Sequence, residues 1–181
     1  MDKITIPRNT LVLLVGPAGC GKSSFAAKHF RLTEIVSSDQ CRAMICDDLT
    51  NQAVTPLAFE LMHSIIEMRL RLGRLTVADA TSLKREDRRP LMKLARRAGF
   101  NTAAIVFNIP LAVCLGRNAR RKRVVPADAI ALQYDLLLET LSGISREGFR
   151  YVWTLDEVAA EQMSVKVTRW VRPAAFQAAQ T

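Results

Sequence analysis

Residues 16–24, GPAGCGKSS, contain the pattern that most constrains how this chain can fold. They match G-x-x-x-x-G-K-[ST] at Gly16, Gly21, Lys22 and Ser23, directly behind the apolar run at 11–15, which is typical of a buried parallel strand. In such a loop, glycines let successive backbone N–H groups point at one spot, and phosphate binds there at the N-terminus of the next helix. The pattern predicts a nucleotide-binding loop, and the alternative is a chance match in an ordinary strand-to-helix turn.

The residues of this loop have separate chemical tasks. We expect Lys22 to reach the β- and γ-phosphates as a point charge, and the Ser23 hydroxyl to be a ligand of a Mg²⁺ ion that bridges them. ATP is therefore the expected donor, and Mg²⁺ the expected metal. The residues predicted to contact ATP here are Gly16, Pro17, Ala18, Gly19, Cys20, Gly21, Lys22, Ser23 and Ser24.

Composition limits the class of protein. A length of 181 residues suits one domain, and no apolar run approaches the roughly 20 residues of a membrane span. The N-terminus lacks the pattern of a signal peptide, so we expect a cytoplasmic protein without membrane contact. The four cysteines have neither zinc-site nor disulfide spacing, which predicts free thiols. A net charge of +9 fits a polyanionic partner without requiring one.

Strand-like and helix-like segments alternate along the chain, which predicts a three-layer α/β domain with a central parallel sheet. We expect one domain built around the phosphate loop over residues 1–172, with 173–181 as a C-terminal tail or a truncated linker. Residues 4–6 are a candidate edge strand, 149–155 the last strand, and a final helix runs from Asp156 to about Trp170. The helix that begins near Thr55 is expected to bury one face that includes Met62, Ile66, Met68 and Leu72.

Two acidic residues follow predicted strands, where ligands bind in open parallel sheets. Asp39 comes after the strand at 34–37, and Arg42 follows it by one helical turn. Asp79 directly follows the predicted strand at 75–78, which is the position of a Walker B carboxylate. It could instead cap the next helix.

Two basic segments stand out. Residues 84–98 form an amphipathic helix with Arg88, Arg89 and Lys93 on the outward side, which is expected to be a solvated surface. Residues 117–123 carry five cations in seven positions. These like charges repel one another, so holding them close together is costly unless an anion is bound among them. We interpret the second segment, at about 117–125, as a lid that closes over ATP; a solvated turn or a nucleic-acid patch are the alternatives.

The sequence resembles the kinase domain of bacterial polynucleotide kinase-phosphatase repair enzymes. The blocks that carry this resemblance are GPAGCGKSSFAAKHF, IVSSDQCRAMICDD, LTVADAT, the arginine-rich lid and REGFRYVWTL, in the family's order from about 11 to 155. The segment SSDQCR discriminates best, because many unrelated kinases share the phosphate loop. Thr81-Ser82 departs from the Thr-Asn usual in the family.

The resemblance implies a three-layer P-loop kinase fold whose sheet has the strand order 2-3-1-4-5. It also implies transfer of the γ-phosphate of ATP to the 5′-OH of DNA or RNA in end repair. It implies Asp39 as general base and Arg42 as the group that holds the first internucleotide phosphate of the acceptor. Asp79 joins them in the expected nucleic-acid-binding set. The arginines expected to contact ATP are Arg117, Arg121 and Arg123. Arg120 is the alternative to Arg121 in this set. Arg123 is also expected to act in catalysis.

Two other functions fit parts of the pattern. A kinase of a small metabolite or nucleotide-sugar could share the loop, the base and the lid, but it would not need +9 or Arg42. A non-enzymatic nucleotide switch would not need a strand-end base. In the family the kinase lies beside phosphatase and ligase modules, so this chain is expected to be either a stand-alone kinase or an excised domain, monomeric by itself.

Overall fold

The computed structural model of the protein describes residues 3–121 and 123–168. The strands within these residues are β1 Lys3–Pro7, β2 Thr10–Val15, β3 Ile35–Ser37, β4 Thr76–Asp79, β5 Asn101–Phe107, β6 Tyr151–Leu155 and β7 Ser164–Thr168. The α-helices are α1 Lys22–His29, α2 Ser38–Cys46, α3 Thr55–Arg71, α4 Arg85–Arg97, α5 Leu111–Ala119, α6 Ala127–Gly143 and α7 Glu157–Gln162. None of the described helices is long and apolar enough to cross a bilayer.

A five-stranded sheet in the order β3-β4-β2-β5-β6 forms the centre, and every pair in it is parallel. Counted in chain order within this sheet, the strands lie as 2-3-1-4-5. The central strand β2 is buried along its whole length, because neighbours flank both its edges and helices cover both its faces. The α/β architecture with a central parallel sheet that the sequence predicts is confirmed.

The two faces of the sheet have separate cores, because successive strand residues point to opposite sides. Leu11 and Leu13 of β2 face one cluster, which also contains Met62 of α3 and Leu91 of α4. Val12 and Leu14 face the other, together with residues of α1, α5 and β1 such as Phe25, Cys114 and Ile6. The helices therefore lie in two layers around one sheet.

The last part of the described chain differs from the prediction. The expected helix from Asp156 ends at Gln162, and β7 follows it and pairs in parallel with β1 as a separate two-stranded sheet. Val165 and Val167 alternate with polar residues in β7 and pack against the second core, which explains why this segment is a strand. The rest of that expected helix, toward Trp170, and the tail at 173–181 lie outside the described residues.

Two predicted helix faces are also wrong in part. Met68 and Leu72 are 63% and 55% exposed, because the buried stripe of α3 follows Ala58, Met62, Ile66 and Leu70 instead. On α4, Arg88 is only 1% exposed although it was expected on the outward side.

Arg88 is buried because it holds the loop that follows β4. Its guanidinium forms a close ion pair with Glu147 and donates to the carbonyls of Ser82, at 2.8 Å, and Leu83, at 2.7 Å. The neighbouring Thr81 carbonyl accepts from the N–H of Gly16 at 3.0 Å. This network fixes the loop after Asp79 against the phosphate loop.

Candidate active site

The phosphate loop connects β2 to α1, and two of its glycines are required by geometry. Gly19 has φ of 81°, and a Cβ there would clash with the carbonyl oxygen of Cys114 in α5. Gly21 has φ of 100° at the N-terminal end of α1. The loop therefore packs tightly on α5, which leads directly into the predicted lid.

Lys22 lies at the first position of α1 and is buried, with 8% of its surface exposed. Its Nζ donates to the carbonyls of Gly16 and Pro17, each at 2.8 Å. Both acceptors are neutral, so among the described residues the ammonium has no acidic group in ion-pair contact. A buried cation at the N-terminus of a helix is a suitable place for an anion such as phosphate.

Ser23 and Asp79 form the second part of the site. The Ser23 side chain lies beside the carboxylate of Asp79, which is 7% exposed at the end of β4. Burial raises the pKa of Asp79, and this effect is opposed by the neighbouring Ser23 hydroxyl and by the charge of Lys22. A hydroxyl beside a carboxylate is an oxygen donor pair of the kind that Mg²⁺ prefers, although the described residues contain no cluster of three or more acidic, histidine or cysteine ligands.

Asp39 lies in the first turn of α2, where Ser37 caps the helix. Two guanidinium groups contact its two oxygens separately: Arg42 binds Oδ1 at 2.6 Å, and Arg123 binds Oδ2 at 3.1 Å. Arg42 is 4% exposed and Asp39 has a half-exposed side chain, so the pair lies at the border between protein and solvent. Arg42 also donates to the Thr55 hydroxyl at 3.5 Å, which connects it to the start of α3.

The basic segment at 117–123 begins in the last turn of α5 and continues into a loop. Arg117 pairs with Glu157 of α7 at 2.9 Å, and its Nη1 lies 3.9 Å from an ideal Cβ built on Gly21. Arg120 and Arg121 are exposed, and Arg121 is among the charges that act on Asp79. The structure thus brings Arg117, Arg121 and Arg123 toward the loop and the strand-end acids, whereas no described contact brings Arg120 there.

Two site residues were missed by the sequence analysis. Gln133 of α6 accepts a hydrogen bond from the N–H of Ala18 in the phosphate loop at 2.8 Å. Asn118 is buried, and its side chain connects the two ends of the loop 118–125 by donating to the Val125 carbonyl at 2.8 Å and accepting from the Val125 N–H at 3.0 Å. Neither residue belongs to a local motif, since the first contact spans 115 positions and the second joins the ends of a loop.

The family model AAA_33, described as an AAA domain, matches residues 11–144. No curated protein matches the chain. A chain in the structure of the Pnkp1/Rnl/Hen1 RNA repair complex is similar, with 21% identity, a TM-score of 0.65 and coverage of 75% of this chain. This chain spans only 46% of that one.

Two further solved structures are similar over most of their own length. A putative kinase from Chloroflexus aurantiacus J-10-fl has 16% identity and a TM-score of 0.57, with 84% of this chain and 90% of that one covered. The APS kinase CysC of Mycobacterium tuberculosis, in complex with AMPPNP and APS, has 17% identity and a TM-score of 0.53, with 86% and 95% covered. At these identities the similarity establishes the P-loop kinase fold and leaves the substrate undetermined.

Proposed function

The chain belongs to the AAA_33 family of AAA domains, and from this premise we propose that it is an ATP-dependent polynucleotide 5′-hydroxyl kinase of nucleic-acid end repair. One observation carries the proposal. Asp39 lies just beyond β3, in the first turn of α2, the charges of Asp39 and Lys22 both act on Asp79, and Arg42 is in direct contact with Asp39. A base next to a cation suits an acceptor whose hydroxyl is accompanied by a phosphate.

The donor side of the reaction uses the phosphate loop and the lid. The backbone N–H groups of residues 21–24, at the N-terminal end of α1, would donate to the phosphates of ATP, and Lys22 exchanges its carbonyl partners for phosphate oxygens. The lid contributes the positive charges of Arg117, Arg121 and Arg123. These charges stabilise the negative charge on the γ-phosphoryl group as transfer proceeds. The Ser23 hydroxyl, with Asp79 behind it, fits a Mg²⁺ ion, which would neutralise charge on the β- and γ-phosphates.

The acceptor side depends on Asp39 and Arg42. The 5′-hydroxyl oxygen attacks the γ-phosphorus in line, its proton passes to Asp39, and the bond from the γ-phosphorus to the bridging oxygen breaks so that ADP leaves. Asp39 needs a free oxygen for this step, and both of its oxygens contact arginines here. Movement of Arg123 to the triphosphate would free Oδ2, while Arg42 turns part of its guanidinium toward the acceptor phosphate.

We further propose that residues 1–172 are one kinase domain that works beside, or is fused to, phosphatase and ligase modules. The similarity to a chain of an RNA repair complex supports this, since the present chain spans about half of that one. A metabolite kinase is the competing function, because small-molecule kinases share the fold.

A panel of acceptors separates these functions. Label from γ-phosphate-labelled ATP would be followed, with Mg²⁺, onto 5′-OH DNA and RNA oligonucleotides, a nucleoside 3′-monophosphate, adenosine phosphosulfate and gluconate. We expect label at the 5′ ends and on the nucleoside 3′-monophosphate. Label on a small metabolite, with none on any oligonucleotide, would contradict the proposal and leave the ATP site intact.

A further inference from the structure

A groove of about 520 Å³ lies between α3 and α4, outside the ATP site. Its floor and edges include Pro56 and Phe59 on the α3 side and Pro90 and Leu94 on the α4 side. The residues from Pro56 to Glu67 that line its α3 wall span about 16 Å of helix. The groove is therefore long enough to hold a short extended segment of chain.

The α4 wall of the groove is cationic. Lys93 and Arg97 line it, and both are exposed. Together with Arg85, Arg89 and Arg96 they form a row of exposed cations, and within the described part of the chain none of the five is in an ion pair. Such a row repels itself unless an anion lies along it.

The distribution of charge over the whole chain makes this wall unusual. Seven basic and two acidic residues lie in 84–97, and five basic and no acidic residues lie in 117–123. The remainder has fourteen basic and fifteen acidic residues, so the net charge of +9 is concentrated in these two segments. The second segment faces the ATP site, which leaves the α4 row without an assigned anion.

The α3 wall of the groove is different in character. The rings of Phe59 and His63 lie 6.3 Å apart, centroid to centroid, and both residues are half-buried. Burial lowers the pKa of His63, with the charge of Asp87 opposing the effect, and this favours the neutral form of the ring. Glu60 and Glu67 are also on this wall, and Glu67 is paired with Arg71. Aromatic faces and hydrogen-bond acceptors are suited to nucleobases, whereas the phosphates of a strand would be repelled from this side.

The groove starts next to the acceptor site. Arg42 donates to the hydroxyl of Thr55, and Pro56, the next residue, is at the beginning of the groove. An acceptor strand whose first phosphate is at Arg42 therefore has the groove as its nearest continuation.

We propose that the groove between α3 and α4 binds the single-stranded acceptor downstream of its 5′ end. The strand lies with its phosphates along Lys93 and Arg97 of α4 and its bases against Phe59 and His63 of α3. This inference rests on the proposed kinase function, and it adds a second binding region that sets the affinity for long acceptors over short ones.

The test compares a 12-nucleotide 5′-OH oligonucleotide with a nucleoside 3′-monophosphate, which reaches only Asp39 and Arg42. The double variant Lys93→Ala/Arg97→Ala should raise the KM for the oligonucleotide about five- to tenfold. The affinity for the oligonucleotide should also depend less on salt. The negative slope of log affinity against log salt concentration should become shallower by about 1.4, which is the value for two phosphate contacts on a single strand. The KM values for the mononucleotide and for ATP should not change.

A matched control removes two exposed cations from the small sheet, Lys3→Ala/Lys166→Ala, with the same change in net charge. It should leave every value as in the wild type. Phe59→Leu keeps the apolar packing of α3 and loses the ring, so it should weaken oligonucleotide binding several-fold without a change in the salt slope.

The outcomes separate the two proposals. If the wild type phosphorylates both acceptors but the α4 variant behaves like the control, the groove proposal is wrong and the kinase proposal stands. If the wild type phosphorylates neither acceptor, the kinase proposal fails, and the groove proposal fails with it.

Discussion

Asp39 is held between two arginines from different parts of the chain, one in its own helix and one in the lid. The contact with Arg42 follows from helical spacing, since the two residues are three positions apart. The contact with Arg123 spans 84 positions and depends on how the lid loop folds back. The first contact could be predicted from sequence and the second could not.

Lys22 provides the most direct test of the donor site. Lys22→Ala should reduce kcat/KM by about a hundredfold or more and weaken ATP binding, because the ammonium is the buried charge nearest to the phosphate loop. Steady-state kinetics and calorimetric titration with ATP would measure the two effects. Lys28→Ala, six residues further along the same helix and exposed, is the control and should be close to wild type.

Arg42 should affect the acceptor more than ATP. Arg42→Ala should raise the KM for a 5′-OH oligonucleotide by about tenfold or more, with little change in the affinity for ATP, because in the proposed mechanism its guanidinium holds the acceptor phosphate beside Asp39. Arg42→Lys keeps the charge without the planar fork and should be intermediate. Equal losses for ATP and acceptor would remove Arg42 from the acceptor site.

At the level of elements, the sequence predicted most strands and helices because their patterns are local. The buried run of β2 and the strand-end acids were recognisable without any partner. The pairing of β1 with β7 and the burial of Arg88 were not, because both depend on residues distant in the chain. A charged side chain on a helix surface cannot be assigned to the interior until its partner, here Glu147, is known.

The Arg88–Glu147 pair should contribute strongly to stability. Its side chains are 2% and 8% exposed, so Arg88→Met leaves a carboxylate buried without its partner. The free energy of unfolding should fall by about 3–5 kcal/mol. Urea unfolding would measure this, with Arg89→Met, at the exposed neighbouring position, expected to change stability by less than about 0.5 kcal/mol. Equal effects at the two positions would show that the pair is not a stabilising contact.

Asn118 should control the lid rather than the core. Asn118→Ala removes both hydrogen bonds to Val125, so the loop that carries Arg121 and Arg123 becomes less constrained. We expect the KM for ATP to rise several-fold while the affinity for the acceptor changes little. Asn9→Ala, just before β2 at the opposite end of the strands, is the control. If Asn118→Ala had the same KM for ATP as the wild type, this role of Asn118 would be contradicted.

At the scale of the molecule, function follows from where one sheet places its strand ends. The parallel arrangement brings the loop after β2, Asp39 after β3 and Asp79 at the end of β4 to one end of the sheet. The excess positive charge of the chain lies in the segment 117–123 and along α4. The sequence predicted this edge because each motif sits at the end of a recognisable strand. It could not predict Gln133 or the groove, since both arise from packing between helices.

The central claim is that Asp39 accepts the proton of a nucleic-acid 5′-hydroxyl. Transfer of labelled γ-phosphate from ATP to a 5′-OH oligonucleotide, in the wild type and in Asp39→Asn, tests it most directly. We expect transfer by the wild type and a loss of about a hundredfold or more in Asp39→Asn, with ATP binding retained. Transfer by Asp39→Asn at the wild-type rate, or transfer by the wild type only to small metabolites, would contradict the account.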